Sequence, residues 1–376
     1  MKRKLAHVEL IESLKSIPGA NRIEVAKVLG WECVVKKDEF KVGDKIIYIE
    51  VDSVLPEKQE YEFLKSRNYR IRTIKLKGQV SQGLVIPIPK DWTVKREDRC
   101  RLGTDATEDL GITKYLTPSE RTEESEQNKK IANEKNKLKK FMMRYSWYRR
   151  LFMPRKRVVE FPYWVSKTDE ERIQNIPKVL DGFKDEVVYI TEKVDYQSAT
   201  FTGKMLPNTT PIIGKYLPKK FKFIVASRNL MNNDKSSLYW QIATKYNLEK
   251  ILKENTTLTI QGEQGSTSVQ GNKYGITEPK LWIFNIYDHD RKYHYNYTEM
   301  LGFCMKYNLT TVPYINICKL SDLGSTVQEL VEYSKGKSII NPKVEREGVV
   351  VRLVEDGRKT LSFKIINPEF LLKHEN

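Results

Sequence analysis

The chain has 376 residues, enough for two domains, and its 39% hydrophobic and 31% charged residues fit large globular parts. With 66 Lys and Arg against 49 Asp and Glu, the formal net charge of +17 favours polyanionic partners, phosphate backbones first. The four cysteines, Cys33, Cys100, Cys304 and Cys318, show no CxxC pair or zinc spacing, and His289 and His294 stand in a polar stretch without metal-ligand pattern. No apolar run reaches the ~20 residues of a membrane span, and no long apolar segment follows the basic start, so an intracellular protein with reduced thiols is expected.

Residues 1–116 read as short strands: 22–29, 31–35, 45–51, 72–76 and 83–87, separated by the turn signals Pro18-Gly19, Gly43-Asp44 and Lys77-Gly78. Five short strands in so short a stretch predict an OB-fold β-barrel, an architecture that binds nucleic acid on one face. Any other small β domain would also fit the pattern. Residues 117–157 differ. Within this basic linker or insert, from Lys129 to Arg157, twelve Lys/Arg stand against one acid, Glu134, so the stretch 129–157 alone carries +11. It has one proline and no glycine, and 133–145 is expected to be partly helical. Phe141, Tyr145, Trp147, Tyr148 and Phe152 are interleaved with the charge. Lys137, Lys139, Lys140 and Arg144 are its candidate phosphate contacts, with a solvated linker as the alternative.

Residues 158–376 predict an α+β domain. Lys167–Arg172 looks like a helix start, with Thr168 as cap and acids in the first turn. Strands are expected at 186–193, 197–202, 222–227, 257–263, 281–287, 345–353 and 360–366, and helices at 236–253, 298–307 and 322–336.

Chemistry concentrates at the strand ends of this domain. Lys193 closes an apolar run, Val187–Lys193, with Asp195 two residues on. A free lysine has a pKa of ~10.4, so a nucleophilic one needs that value lowered. On an extended strand Asp195 points to the same side as Lys193, where it can hold a metal's water shell. Glu347 opens the strand Gly348–Arg352, and magnesium favours such carboxylates while keeping several waters. An ion pair with Arg346 or Arg352 is the plainer role for Glu347. Lys364 lies in the apolar run Leu361–Ile366, where it must reach solvent or an anion such as a phosphate; edge-strand protection would also explain it. Glu263 sits between Gly262 and Gly265 and can accept from ribose hydroxyls. Arg228 can fork onto a phosphate, and Phe284 can stack on a base or simply pack in the core.

In this order, these residues resemble the covalent nucleotidyltransferases, the RNA and DNA ligases and mRNA capping enzymes. The resemblance is closest to the fifth RNA-ligase family, in which an N-terminal OB domain precedes the adenylyltransferase domain. It is carried also by 36–44, 48–53, 70–73 and 77–84 of the N-terminal part and by 166–175. It covers about 1–115 and 158–376. It implies an α+β fold of antiparallel sheets in an ATP-dependent RNA ligase that uses Mg2+ or Mn2+. Lys193 would take AMP from ATP, pass it to an RNA 5′-phosphate, and release it when an RNA 3′-OH attacks, often at a nick in a duplex. By the resemblance Asp195, Glu263 and Glu347 are the acids around the metal. Arg172 contacts the ATP phosphates, while Arg228, Phe284 and Lys364 are nucleotide contacts. A monomer is expected.

Two positions depart from the family's pattern. Tyr196 stands where the family writes glycine after the aspartate, and Asn285 replaces the aspartate that follows the stacking phenylalanine. A non-catalytic RNA-binding relic of a ligase is the alternative that Tyr196 favours. The joint presence of Lys193, Glu263, Glu347 and Lys364 opposes it. A guanylyltransferase is a further alternative, distinguished by labelling with GTP in place of ATP.

Overall fold

The computed structural model describes residues 4–95, 97–116, 161–165, 170–206, 218–228, 230–354 and 361–374. Two compact units divide the chain, Met1–Val158 and Val159–His374. The basic stretch expected to be partly helical, with Lys137, Lys139, Lys140 and Arg144, lies outside the described residues, as does Thr168.

The first unit contains β1 (Ala6–Leu10), β2 (Ser13–Ser16), β3 (Ile23–Val28), β4 (Trp31–Lys36), β5 (Lys45–Ile49), β6 (Ser53–Val54), β7 (Ile74–Leu76), β8 (Gln79–Ser81), β9 (Leu84–Pro87) and β10 (Thr113–Lys114). Their ladders form short sheets, β1-β5-β9, β2-β3-β4, β7-β8 and β10-β6, rather than one closed barrel. The β3–β4 hairpin turns over Leu29 and Gly30, with Leu29 at positive φ as a two-residue connection requires. Beneath the strands, Trp31 stacks on Tyr48 with ring centroids 5.7 Å apart, among Val8, Ile47 and Val28. Arg70 joins two of the segments singled out in the sequence: it pairs with Asp52 at 2.6 Å and lies 3.7 Å over the Tyr115 ring.

The sequence reading missed β1 because its polar positions are not solvent positions. His7 is buried between Glu9 (Nδ1 to Oε1, 2.8 Å) and the buried Glu50 (Nε2 to Oε1, 3.7 Å). Burial opposes the charged ring, but hydrogen bonds and charge from Glu50 and Glu9 outweigh it and raise the pKa to about 9.

The second unit contains β11 (Glu171–Arg172), β12 (Val187–Glu192), β13 (Gln197–Leu206), β14 (Lys220–Ser227), β15 (Leu258–Gly265), β16 (Lys280–Asp288), β17 (Tyr293–His294), β18 (Tyr314–Lys319), β19 (Gly348–Leu353) and β20 (Ser362–Ile366). They form two five-stranded sheets, β11-β20-β19-β12-β18 and β14-β13-β15-β16-β17, antiparallel throughout except for β11 against β20. In the first sheet Val188, Ile190, Val349, Val351, Phe363 and Ile365 are buried with Leu330 of the helix Val327–Ser334. The alternate positions, among them Arg352 and Lys364, face the other way. In the second sheet Phe201, Ile260 and Ile283 pack under the helices Leu238–Lys245, Leu248–Glu254 and Tyr297–Lys306. A buried polar layer alternates with them. Thr202 bonds Thr259 at 2.8 Å, and Asn285 donates to Gln261 at 2.6 Å while its Oδ1 meets His294 at 2.9 Å.

Two expectations are corrected. The helix start at 167–172 is not formed by Glu171–Arg172, which makes the short strand β11 followed by a 3-10 turn, Ile173–Asn175; pairing with β20 overrides the local acidic signal. The single helix expected at 236–253 is two helices, because Asn247 takes a left-handed conformation (φ 51) that breaks the first and opens the second. Strand β18 was not anticipated, its exposed edge position leaving no clean apolar alternation. Among the described residues, no helix is long and apolar enough to cross a membrane.

The His7 cluster gives a signed prediction. Its contribution to stability is complete below about pH 6.5 and disappears as the pH rises through about 9. The difference in melting temperature between the wild type and His7→Gln should therefore be largest in mild acid and should close in alkaline buffer. A gap that stays constant across this range would exclude the charged pairing.

Candidate active site

Lys193 and Glu347 are brought together by the register of β12 and β19. The two strands run antiparallel with Glu192 opposite Val349, so the residue after β12 and the residue before β19 meet at the same sheet end. The Lys193 N–H donates to Gly348 O at 3.0 Å. Gly348 is needed there for close approach: a Cβ would lie 2.1 Å from Ile365 O. The side chains then meet directly, Lys193 Nζ donating to Glu347 Oε2 at 2.5 Å. Glu347 therefore pairs with neither Arg346 nor Arg352. Arg346 donates to the carbonyls of Tyr333, Ser334 and Lys335, and Arg352 binds Glu170 at 2.7 Å.

Around this pair stand Glu263, Asp195, Lys364 and Arg228, close enough to act on it or on one another electrostatically. Glu263 lies on β15 opposite Ser198 and Trp282, and its buried Oε2 has no hydrogen-bond partner. Arg228 follows β14. Arg172 is buried on β11, directly opposite Lys364 of β20. Phe284 is the extra residue of a bulge in β16, between Ile283 and Asn285, which re-aims its side chain. The half-buried ring packs against the cluster of Val194, Tyr196, Tyr274 and Trp282, while its carbonyl accepts from Arg352 at 2.9 Å.

The charge state differs from the expectation for a nucleophile. Burial acts to lower the Lys193 amine, but Glu347, Glu263 and Asp195 together outweigh it, and its pKa is raised above the ordinary lysine value. Burial and the neighbouring acids likewise push the Glu263 carboxyl well above the usual range, with Lys193 and Arg228 pulling against them. The Glu347 carboxyl is raised by burial despite the opposing charge of Lys193. The amine is thus held protonated by its own surroundings.

Asp195 stands near Lys193 and is also held by partners that the sequence did not signal. Lys193 and Asp195 lie beyond the end of β12, on either side of the buried Val194. The Asp195 carboxylate forms an ion pair with Lys273 rather than with Lys193. Its backbone N–H donates to Tyr274 Oη at 3.0 Å. Sequence reasoning missed Lys273 and Tyr274, because contacts across 78 and 79 residues leave no local signal. Among the described residues, no group of three or more His, Cys, Asp or Glu is gathered to hold a metal ion. Asp195, Glu263 and Glu347 instead ring an amine. As hard oxygen donors that all act on one amine, one of them with a free buried oxygen, they suit a Mg2+ or Mn2+ ion bound through its waters better than one bound directly.

Tyr196, at the family's glycine position, keeps an ordinary backbone conformation, since it is absent from the positive-φ residues. Its ring turns inward, stacked on Trp282 at 5.7 Å and 8°, with its hydroxyl donating to Asn272 Oδ1 at 3.1 Å. Gly265 makes room: a Cβ there would lie 2.6 Å from the Tyr196 ring.

Comparisons with known proteins agree with this architecture. The sequence profile of the RNA ligase family matches residues 186–366, and that of an OB-fold domain matches residues 5–88. Residues 186–366 are thus an RNA ligase domain, with an OB-fold domain ahead of it. Its structure is similar to that of Naegleria gruberi RNA ligase with PPi, at 28% identity and TM-score 0.77, covering 99% of each chain. A lysine-to-alanine mutant of that ligase with ATP and Mn matches at 27% identity and TM-score 0.77, again over 99% of each chain. A glutamate-to-alanine mutant with AMP and Mn matches at 27% and 0.76, over 99% of each chain. No curated protein sequence matches the chain.

The packing around Tyr196 predicts the effect of restoring the family residue. Tyr196→Gly should destabilise the protein by about 3–5 kcal/mol, as expected for emptying a buried aromatic site. Tyr196→Phe, which keeps the ring but loses the hydroxyl's bonds to Asn272 and to the Tyr274 backbone, should cost about 1–3 kcal/mol. Denaturant unfolding of the three proteins checks this order.

Proposed function

We propose that this enzyme seals RNA 3′-OH ends to 5′-phosphate ends through a lysine–AMP intermediate, in the manner of the fifth RNA-ligase family. The supporting observation is one amine, Lys193, enclosed by Glu347, Asp195 and Glu263 at the end of two paired strands. Lys193 Nζ attacks the α-phosphorus of ATP; the N–P bond forms, the bond to the bridging oxygen breaks and pyrophosphate leaves. Glu347 Oε2, 2.5 Å away, is the acceptor within reach of the amine proton. Arg172, Arg228 and Lys364 offset phosphate charge, Glu263 accepts from ribose, and Phe284 stacks on adenine. Asp195, Glu263 and Glu347 would hold a Mg2+ or Mn2+ ion through its waters, and the ion would supply positive charge to offset that of the reacting phosphate. The adenylate then passes to an RNA 5′-phosphate, and the 3′-OH attacks that adenylated end, most readily across a nick in a duplex, with AMP leaving.

Incubation with α-labelled ATP and Mn2+ should label the wild-type protein and leave Lys193→Ala unlabelled; an unlabelled wild type removes this reading. GTP should not replace ATP.

The basic segment is assigned to RNA phosphates by its charge. Neutralising Lys137, Lys139, Lys140 and Arg144 should weaken RNA binding and flatten its salt dependence by up to about three log units per log unit of salt, at roughly 0.7–0.9 per contact. Identical salt slopes in filter binding would rule these contacts out.

A further inference from the structure

Lys273 is a second amine in the same neighbourhood, and the proposed chemistry leaves it without a task. Its ammonium forms an ion pair with Asp195 Oδ2, and both side chains are about three-quarters buried, with 23% and 21% exposed. It also lies 5.0 Å over the ring of Phe370, on the helix Pro368–His374 that directly follows the strand bearing Lys364. The position is enforced from both sides in sequence. Asn272 accepts from Tyr196 at 3.1 Å and from the Ile276 N–H at 2.9 Å, and Tyr274 accepts from the Asp195 N–H at 3.0 Å. Asn341 in turn donates to Tyr274 O at 3.2 Å. Asp195 is therefore positioned by its backbone, independently of the lysine, so that Lys273 contributes charge more than orientation.

We propose that Lys273 is a built-in counter-ion of Asp195, occupying the charge that an arriving divalent cation must share or displace. This rests on the reading of Asp195 as an acid that serves that cation. Like charges compete for one carboxylate, so the lysine weakens cation binding to the resting protein and sets how much metal is needed to load the site. Lys273 is a positioning residue here: it acts on the cation through Asp195 and needs no contact with nucleotide or RNA.

The experiment is a Mn2+ titration of the nucleotide-free full-length protein, read by the loss of the free-ion signal in electron paramagnetic resonance. Lys273→Met should tighten Mn2+ binding about twofold to fivefold, the scale of a partly exposed ion pair, and Lys273→Arg should match the wild type. In an Asp195→Asn background, Lys273→Met should have no further effect. Unchanged or weaker Mn2+ binding by Lys273→Met overturns the proposal, as does an equal tightening in the Asp195→Asn background, which would mark a diffuse charge effect. If the wild type neither binds Mn2+ nor takes label from ATP, the functional reading fails and this inference falls with it. If it does both and only the Lys273 effect is missing, the inference alone fails.

Discussion

The site depends on one ammonium held inside a ring of carboxylates. Lys193 and Glu347 are 154 residues apart in sequence and 2.5 Å apart in space. The charge of the lysine makes it possible for Glu347, Glu263 and Asp195 to stand near one another at all. Removing it would leave three acids, two of which, Glu263 and Glu347, already have carboxyls raised by burial and further by the charge of their acidic neighbours. The same arrangement keeps the amine protonated, and a protonated amine has no lone pair with which to attack. On the proposed function the resting pocket therefore holds the attacking amine in an inert form, and reactivity needs additional positive charge among the acids. Asp195 carries a second restraint of the same sign, because Lys273 already answers its charge.

The fold places this ring at the edge of two sheets that each have one apolar and one polar side. Strands β12, β19 and β20 bury Val188, Val349 and Phe363 on one side and send Lys364 and Arg352 to the other. Arg352 then spans the gap between the sheets. It holds Glu170 just ahead of β11 and the carbonyl of Phe284 in the bulge of β16. One guanidinium thus fixes both the segment leading to Arg172 and the aromatic residue opposite it. A buried, paired arginine of this kind is costly to leave half satisfied, so loss of either partner would disturb both sides of the site.

The tyrosine at position 196 shows how the fold accommodates a changed motif residue. In the family pattern glycine follows the aspartate, and a bulky residue there threatens the space beside it. Here the backbone needs no positive φ, and the ring leaves the site for a pocket formed by Trp282, Tyr274 and the bare face of Gly265. The hydroxyl reaches Asn272, next to the lysine that pairs with Asp195. The exchange has been absorbed as a tie between Val194–Tyr196 and the 272–274 turn. The same holds for Asn285, which sits in a hydrogen-bonded layer with Gln261 and His294, where an amide can both donate and accept.

These particulars mark the limit of what was legible in the sequence. Apolar alternation and turn residues located β3, β4, β5, β12, β15, β16, β19 and β20, because each rests on local pattern. The short strand β11 and the edge strand β18 escaped, since their conformation comes from a distant partner rather than from their own composition. Residue type and order singled out Lys193, Glu263 and Glu347, but type and order carry no sign of charge balance. The need for an unprotonated amine suggested a lowered pKa; the side chains that fold around it impose the reverse. Lys273 escaped for the related reason that a lysine in a polar turn is unremarkable until the chain closes on Asp195. What the sequence conveyed was which groups would be brought together. Which of them would answer whose charge was decided by register and loop closure, the two features least visible before the chain is folded.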